Sequence, residues 1–157
     1  MGTFALVTQL ARALKVPVIA AGGIADAQGV AAALALGTVA ARVGTAYMLC
    51  PEATTSAVHR SALQSDAARH TALTTLFTGR PARGIVNRVM RELGALNPAA
   101  PQFPLATTAI ASLRAKNEAM GKGDFSPLWS GQNASACWAV GAAQLTRDLA
   151  AGNAVAR

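Results

Sequence analysis

Two apolar runs and the helix between them form the first recognisable unit of the chain. Residues 16–21 are apolar without alternation, which is typical of a strand buried on both faces. Residues 27–36 are rich in helix formers, with Asp26 as a candidate N-cap and Gly37 as a candidate stop. Residues 38–43 then predict a second strand. The order strand, turn, helix, strand predicts a parallel βαβ crossover.

The rest of the chain predicts helices and loops. Helices are expected over residues 4–14, after "CPEATTS", after the turn-rich basic loop "TGRPARG", and over residues 105–120 and 134–150. Only the two strands above are convincing. We therefore expect an α/β fold with two parts: residues 1–50 as the end of a (β/α)₈ TIM barrel with its last two strands, and residues 51–157 as a helical C-terminal extension packed on it.

A doubly wound sheet is the competing architecture, and it is disfavoured by the glycine spacing. The stretch "GGIADAQG" lacks the G-x-G-x-x-G pattern of dinucleotide-binding folds. A complete barrel needs about 250 residues, whereas this chain has 157, so we expect it to be an incomplete fragment or a truncated product.

Composition and charge narrow the function classes. The chain is 52% hydrophobic and 13% charged, which supports a packed core and excludes a disordered chain. The net charge of +7 is scattered without a basic run that contains aromatics, so a solvated surface is favoured over a nucleic-acid partner. No apolar run is long enough to predict a membrane helix. Cys50 and Cys137 lie far apart without metal-ligand spacing, which predicts reduced thiols, no metal site and a cytoplasmic protein.

Glycines follow both predicted strands. Gly22 and Gly23 follow the first strand, and Gly44 and Thr45 follow the second. A glycine lacks the Cβ that would keep a phosphate away from the backbone N–H groups, and the Thr45 hydroxyl is a further donor. In barrels the loops after the last two strands commonly form a phosphate site. The alternative is that these glycines only shape ordinary turns.

Four motifs together give a resemblance to a known family. "PVIAAGGIADAQGVAAALALG", "VGTAYMLCPEA", "FTGRPARGIVNR" and "DFSPLWSGQ" are similar, in order and approximate spacing, to the C-terminal part of bacterial nitronate monooxygenases. The resemblance implies a TIM barrel that binds FMN without a covalent bond and oxidises alkyl nitronates with O₂ to a carbonyl compound and nitrite. It places Gly23, Arg42, Val43, Gly44 and Thr45 at FMN-binding positions, and Gly22 is added to this cofactor-binding set because it lies in the same turn as Gly23. Arg42 departs from the family, which usually has Gln there.

The other motifs leave alternatives open. Arg80 and Arg83 either neutralise anions or brace the extension through carboxylate pairs, and bracing is favoured. Trp129 and Gln132 either cover the flavin or line the substrate pocket, with a packing anchor as the equal alternative for Trp129. His59 and His70 are expected in helices, with surface or packing roles.

No catalytic residue is assigned to this chain. The resemblance implies a catalytic-site histidine on an earlier barrel strand, which would lie before Met1. The expected partners are a small nitronate and O₂, together with a missing N-terminal barrel portion or further copies of the chain. Two other functions stay open: an FMN-dependent enoyl-thioester reductase that takes hydride from a nicotinamide, and a non-catalytic remnant that supplies only an interaction surface.

Overall fold

The computed structural model describes residues 1–152, which form a mixed α/β structure. The helices are α1 (Thr3–Ala13), α2 (Ala27–Ala35), α3 (Thr45–Met48), α4 (Ala57–Leu63), α5 (Arg88–Leu93), α6 (Leu105–Ala119) and α7 (Ala142–Ala150). The strands are β1 (Ile19–Ala21), β2 (Ala40–Arg42), β3 (Thr71–Thr74) and β4 (Ala82–Ile85). Within this range, no helix combines the length and the apolar character needed to cross a membrane.

The chain divides into two compact units. Unit 1 comprises Met1–Thr54 together with the described residues from Ala136 onward, and unit 2 comprises Thr55–Ser135. The predicted boundary after residue 50 lies close to the first change of unit. The described residues from Ala136 onward group with unit 1, and the division into residues 1–50 and 51–157 stays a prediction.

The βαβ crossover predicted for unit 1 is present. β1 and β2 pair in parallel, with Ile19 opposite Ala40 and Ala21 opposite Arg42. The Asp26 carboxylate accepts a hydrogen bond of 2.7 Å from the Gly29 N–H and thereby caps α2. Gly37 follows α2 with φ +93°, a left-handed conformation that glycine adopts without strain. The predicted start and stop of this helix are therefore confirmed.

The burial predicted for the first strand is wrong in the described chain. Ala20 is 1% exposed, but Ile19 is 61% exposed. Within residues 1–152, β1 pairs only with β2, which leaves one edge of β1 unpaired, and the face of the strand that carries Ile19 is uncovered. Each strand is also three residues long, shorter than the apolar run that predicted it.

The C-terminal helix α7 completes the core of unit 1. Leu145 and Leu149 are buried in one cluster with Val30 of α2. Both carboxylate oxygens of Glu52 accept hydrogen bonds from the Ala142 N–H, at 3.0 and 3.1 Å, and hold the beginning of α7. The continuous helix predicted over residues 134–150 is wrong, because a short 3₁₀ turn (Ala134–Ala136) is separated from α7.

Unit 2 contains a β-hairpin where only helices and loops were predicted. β3 and β4 are antiparallel, with Thr71 opposite Ile85 and Thr74 opposite Ala82. The loop between them passes Gly79, which has φ +81°. Backbone atoms of residues 101–103 occupy the space where a Cβ at this position would lie. Only glycine therefore fits between the hairpin loop and the proline-rich connector.

Asn87 fixes the chain that leaves the hairpin. Its side chain is 7% exposed, and its Oδ1 accepts a hydrogen bond from the Met90 N–H, which caps α5. Its Nδ2 donates to the carbonyl of Gly123 at 2.8 Å and to that of Ser126 at 2.9 Å. One amide group thus joins α5 to a loop more than thirty residues away.

We predict that Asn87→Leu lowers the free energy of unfolding of unit 2 by about 2–4 kcal/mol, because buried backbone groups lose their partners. Chemical denaturation measures the change. Gln64→Leu, which alters an exposed amide at the end of α4, is the control and should stay within about 0.5 kcal/mol. Equal effects of the two substitutions would contradict this role of Asn87.

Candidate functional site

The two glycine-containing turns of unit 1 lie side by side. Ala21, the last residue of β1, is the pairing partner of Arg42, the last residue of β2. The chains that leave these two strands therefore begin at the same edge of the sheet. Gly22 and Gly23 have φ values of +110° and +75°, so the first turn takes a course that side chains disfavour.

The surroundings of the three turn glycines differ. A Cβ at Gly22 would lie 2.9 Å from Oγ1 of Thr3, and that hydroxyl donates a hydrogen bond of 2.9 Å to the Gly22 carbonyl. A Cβ at Gly23 or Gly44 would meet no atom within 4 Å. All three glycines are exposed. The first turn is thus braced by α1 on one side, while Gly23 and Gly44 leave space in front of the backbone.

The other three predicted cofactor-binding residues follow the second strand. Arg42 is exposed at the end of β2, and Thr45 is the half-buried first residue of α3. The side chain of Val43 packs against the core cluster of unit 1, which leaves its backbone for any contact with a ligand. All six predicted residues therefore lie at the end of β2 or in the segments that directly follow β1 and β2.

Trp129 and Gln132, the predicted substrate-pocket residues, belong to unit 2. The Trp129 indole meets the buried Phe77 ring edge-on, with centroids 5.7 Å apart and planes at 90°. Gln132 is exposed three residues further along. Trp129 thus packs against the core cluster of Phe77, in agreement with the packing alternative, and it stays half-buried.

Arg80 and Arg83 brace unit 2, but not through carboxylates. The Arg83 guanidinium donates to the carbonyl and the hydroxyl of Thr71, both at 3.2 Å, and so ties β4 to β3. The Arg80 guanidinium stacks 4.3 Å from the centre of the Phe103 ring. The ion pairs shown for the described residues involve other arginines, so the predicted carboxylate partners are wrong.

His59 makes a contact that no sequence pattern indicated. It lies in α4, as predicted, and its Nε2 is 2.8 Å from the Trp129 carbonyl, seventy positions along the chain. Burial lowers the pKa of His59 below its usual value of 6.5. His70 is exposed and follows a short 3₁₀ turn just before β3, so the prediction that it lies within a helix is wrong.

The thiols and the acidic groups add no further chemistry. Burial, followed by the nearby charge of Asp26, raises the pKa of Cys137 to about 11, so this thiol is protonated at neutral pH. Burial opposes ionisation of Glu118, yet hydrogen bonds from Ser126 and Arg114 outweigh it and lower the pKa of that carboxyl. Across residues 1–152, no group of three or more histidines, cysteines or carboxylates is arranged to hold a metal ion.

Comparison with known sequences gives one family. The family model for nitronate monooxygenase matches residues 1–152. A nitronate monooxygenase of Pseudomonas aeruginosa is 43% identical over 150 residues, which cover 95% of this chain and 43% of that protein. One of Paraburkholderia phytofirmans is 42% identical over 152 residues, covering 95% and 41%. The chain thus spans less than half the length of these relatives.

Solved structures agree with the sequence comparison. A nitroalkane oxidase from Streptomyces ansochromogenes superposes with a TM-score of 0.89 at 38% identity, over 100% of this chain and 45% of that one. FabK from Thermotoga maritima superposes with a TM-score of 0.75 at 28% identity, over 97% and 49%. The family model covers nearly the whole chain, and identity is higher to the nitronate monooxygenases than to FabK. The chain belongs to the nitronate monooxygenase family.

Proposed function

We propose that this chain supplies the phosphate-binding part of an FMN-dependent enzyme that oxidises alkyl nitronates with O₂ to carbonyl compounds and nitrite. The observation that carries the proposal is the pair of glycine turns at one edge of the β1–β2 sheet, in a member of this family. FMN would supply the redox chemistry, and this chain would bind and orient it.

The residues in the turns fit a phosphate. Gly23 and Gly44 leave open space in front of exposed backbone, as a phosphate that approaches N–H groups requires. Thr45 adds a hydroxyl, and Arg42 adds a positive charge at the end of the neighbouring strand. Gly22 shapes the turn, since its positive φ and the contact with Thr3 fix the course of the backbone.

We further propose that β1 and β2 are the last two strands of a TIM barrel, with residues 1–50 as its end. The exposure of Ile19 in β1 (61%) and of Val39 directly before β2 (62%) supports this, because large aliphatic side chains of a sheet are normally covered by further elements. The enzyme would act in the cytoplasm, a reducing compartment in which thiols such as those of Cys50 and Cys137 stay reduced.

The substrate would be a small nitronate, and Trp129 and Gln132 would line its pocket. The half-buried indole and the exposed amide of unit 2 can supply an apolar surface and hydrogen bonds. Enoyl-thioester reduction is the second candidate. It is less favoured, because identity with this chain is 38–43% for the named nitronate monooxygenases and the nitroalkane oxidase, whereas it is 28% for FabK.

We predict that Gly23→Val weakens FMN binding at least about tenfold, because a branched side chain would fill the space left for the phosphate. FMN titration of the purified apoprotein, in a complete protein that carries this chain, measures this. Gly94→Val is the matched control, since Gly94 also has positive φ (+78° against +75°) and open surroundings but lies in unit 2. Wild-type affinity in Gly23→Val, or equal losses in both variants, would contradict the proposed phosphate site.

For Arg42→Gln, which introduces the residue usual in the family, we predict that FMN stays bound and its reduction potential falls. A positive charge beside the flavin favours the negative charge gained on reduction, so its removal disfavours reduction. Redox titration of the bound flavin tests this. The control is Arg12→Gln, because the end of α1 that carries Arg12 lies near Gly37, at the opposite end of β2. An unchanged or higher reduction potential in Arg42→Gln would contradict the proposed position of Arg42 beside the flavin.

Residues 1–157 alone, supplemented with FMN, are expected not to release nitrite from an alkyl nitronate. In the proposed barrel several strand ends would hold the flavin, and the catalytic-site histidine that the family resemblance implies would lie on a strand other than β1 and β2. The loss of one general acid–base group typically costs about 10²–10⁴-fold in rate. A nitrite assay compares this polypeptide with an intact member of the family. Comparable turnover by the two would overturn the barrel-fragment proposal.

A further inference from the structure

A short segment of unit 2, residues 128–130, continues the β3–β4 hairpin as if it were a third strand. The Ile85 N–H donates to the Leu128 carbonyl at 2.8 Å, and the Ser130 N–H donates to the Arg83 carbonyl at 3.2 Å. Between these bonds, Gly84 and Trp129 form an antiparallel bridge. Gly84 has no side chain, and a Cβ there would lie 3.0 Å from the Leu128 carbonyl oxygen. Residues 128–130 therefore lie close to the edge of β4.

A side chain from a distant helix holds the middle of this segment. The Nε2 of His59 lies 2.8 Å from the Trp129 carbonyl oxygen. A carbonyl only accepts hydrogen bonds, so Nε2 must carry the proton. The backbone N–H of His59 donates to the Ser56 hydroxyl that caps α4, which fixes the backbone that carries the ring. The contact thus links the first turn of α4 to the backbone of Trp129.

We propose that His59 is a positioning residue, which holds the Trp129 backbone and thereby sets where the indole and Gln132 meet the nitronate. This rests on the proposed function, in which Trp129 and Gln132 line the substrate pocket. His59 itself does not touch the substrate. Its effect passes through segment 128–130, whose other anchors are backbone bonds to β4 and the ring contact with Phe77.

The charges around His59 favour a neutral ring at neutral pH. Burial lowers its pKa, the bond to the Trp129 carbonyl raises it, Arg114 lowers it and Glu118 raises it, with a net shift below 6.5. Among the described residues, Arg114 and Glu118 of α6 are the charged groups that act on the ring. A histidine whose folded pKa is depressed stabilises the fold above the unfolded value, and this contribution is lost as pH falls through the folded value. Nε2 carries a proton in both forms of the ring, so acidification below about 6.5 should lower the stability of unit 2 through the cost of the buried charge, while the donor to the Trp129 carbonyl stays in place.

Fluorescence tests the contact independently of catalysis. The chain has two tryptophans, so Trp138→Phe leaves Trp129 as the single reporter, and Trp138 is a 72% exposed residue of unit 1. In this background we compare His59→Leu, which removes the donor, with His59→Gln, whose amide can supply one. His59→Leu should give red-shifted, more easily quenched Trp129 emission, and His59→Gln should restore it towards wild type.

Steady-state kinetics of the FMN-loaded protein that carries this chain tests the positioning role. His59→Leu should raise KM for an alkyl nitronate about two- to tenfold, the factor that one hydrogen bond of about 0.5–1.5 kcal/mol gives, while kcat changes less. His59→Gln should recover most of this loss. His70→Leu makes the same chemical change at an exposed histidine and should match wild type in emission and in KM.

The outcomes distinguish the positioning role of His59 from the proposed nitronate oxidation. Unchanged emission in His59→Leu, or equal losses in His59→Leu and His59→Gln, overturns the contact. Altered emission with unchanged KM shows that the segment does not shape the pocket, which overturns the positioning role while nitronate oxidation stands. A wild-type holoprotein that releases no nitrite overturns the proposed function itself. If His59→Leu does not fold, His59→Asn, whose shorter amide falls short of the carbonyl, takes its place.

Discussion

The parallel pairing of β1 with β2 determines where the candidate site of unit 1 lies. Because Ala21 is opposite Arg42, the turns that follow the two strands begin at the same edge of the sheet. The crossover helix α2, capped by Asp26, returns the chain so that both strands can run in the same direction. A shift of this register by one residue would separate Gly23 from Gly44 and invert the faces of β2. The position of the two glycine turns relative to each other therefore depends on the strand pairing. The glycines themselves do not specify that pairing.

The parts of the fold that the sequence predicted are those with local causes. Asp26 caps a helix three residues away, and Gly37 ends the same helix by its own backbone conformation, so both signals lie within one window of sequence. The glycine pairs were recognisable for the same reason, since each follows its strand directly. The family resemblance added the cofactor that these turns would hold, which glycine spacing alone does not identify.

The parts that were missed depend on distant partners. β3 and β4 are four residues each and contain Ala72, Ala82 and Gly84, which favour strands poorly. They become strands because they pair with each other and because segment 128–130 lies along β4. The contact between His59 and Trp129 joins residues seventy positions apart, and nothing in either local sequence indicates it. Burial of Ile19 was wrongly predicted because an apolar run shows what a strand can bury and not what covers it.

Hydrogen bonds from polar side chains fix the loops of unit 2, a role that aromatic packing has in many other proteins. Aromatic residues make up 4% of the chain, and α6 leaves Leu105 and Leu113 more than half exposed, so apolar burial alone fixes its loops weakly. Polar side chains in α4, in α6 and at the N-cap of α5 instead form hydrogen bonds with the loop of residues 123–130. Asn87 binds two of its carbonyls, Glu118 binds the Ser126 hydroxyl, and His59 binds the Trp129 carbonyl. Hydrogen bonds are directional, so these contacts specify one path for this loop, whereas small alanine side chains would tolerate several.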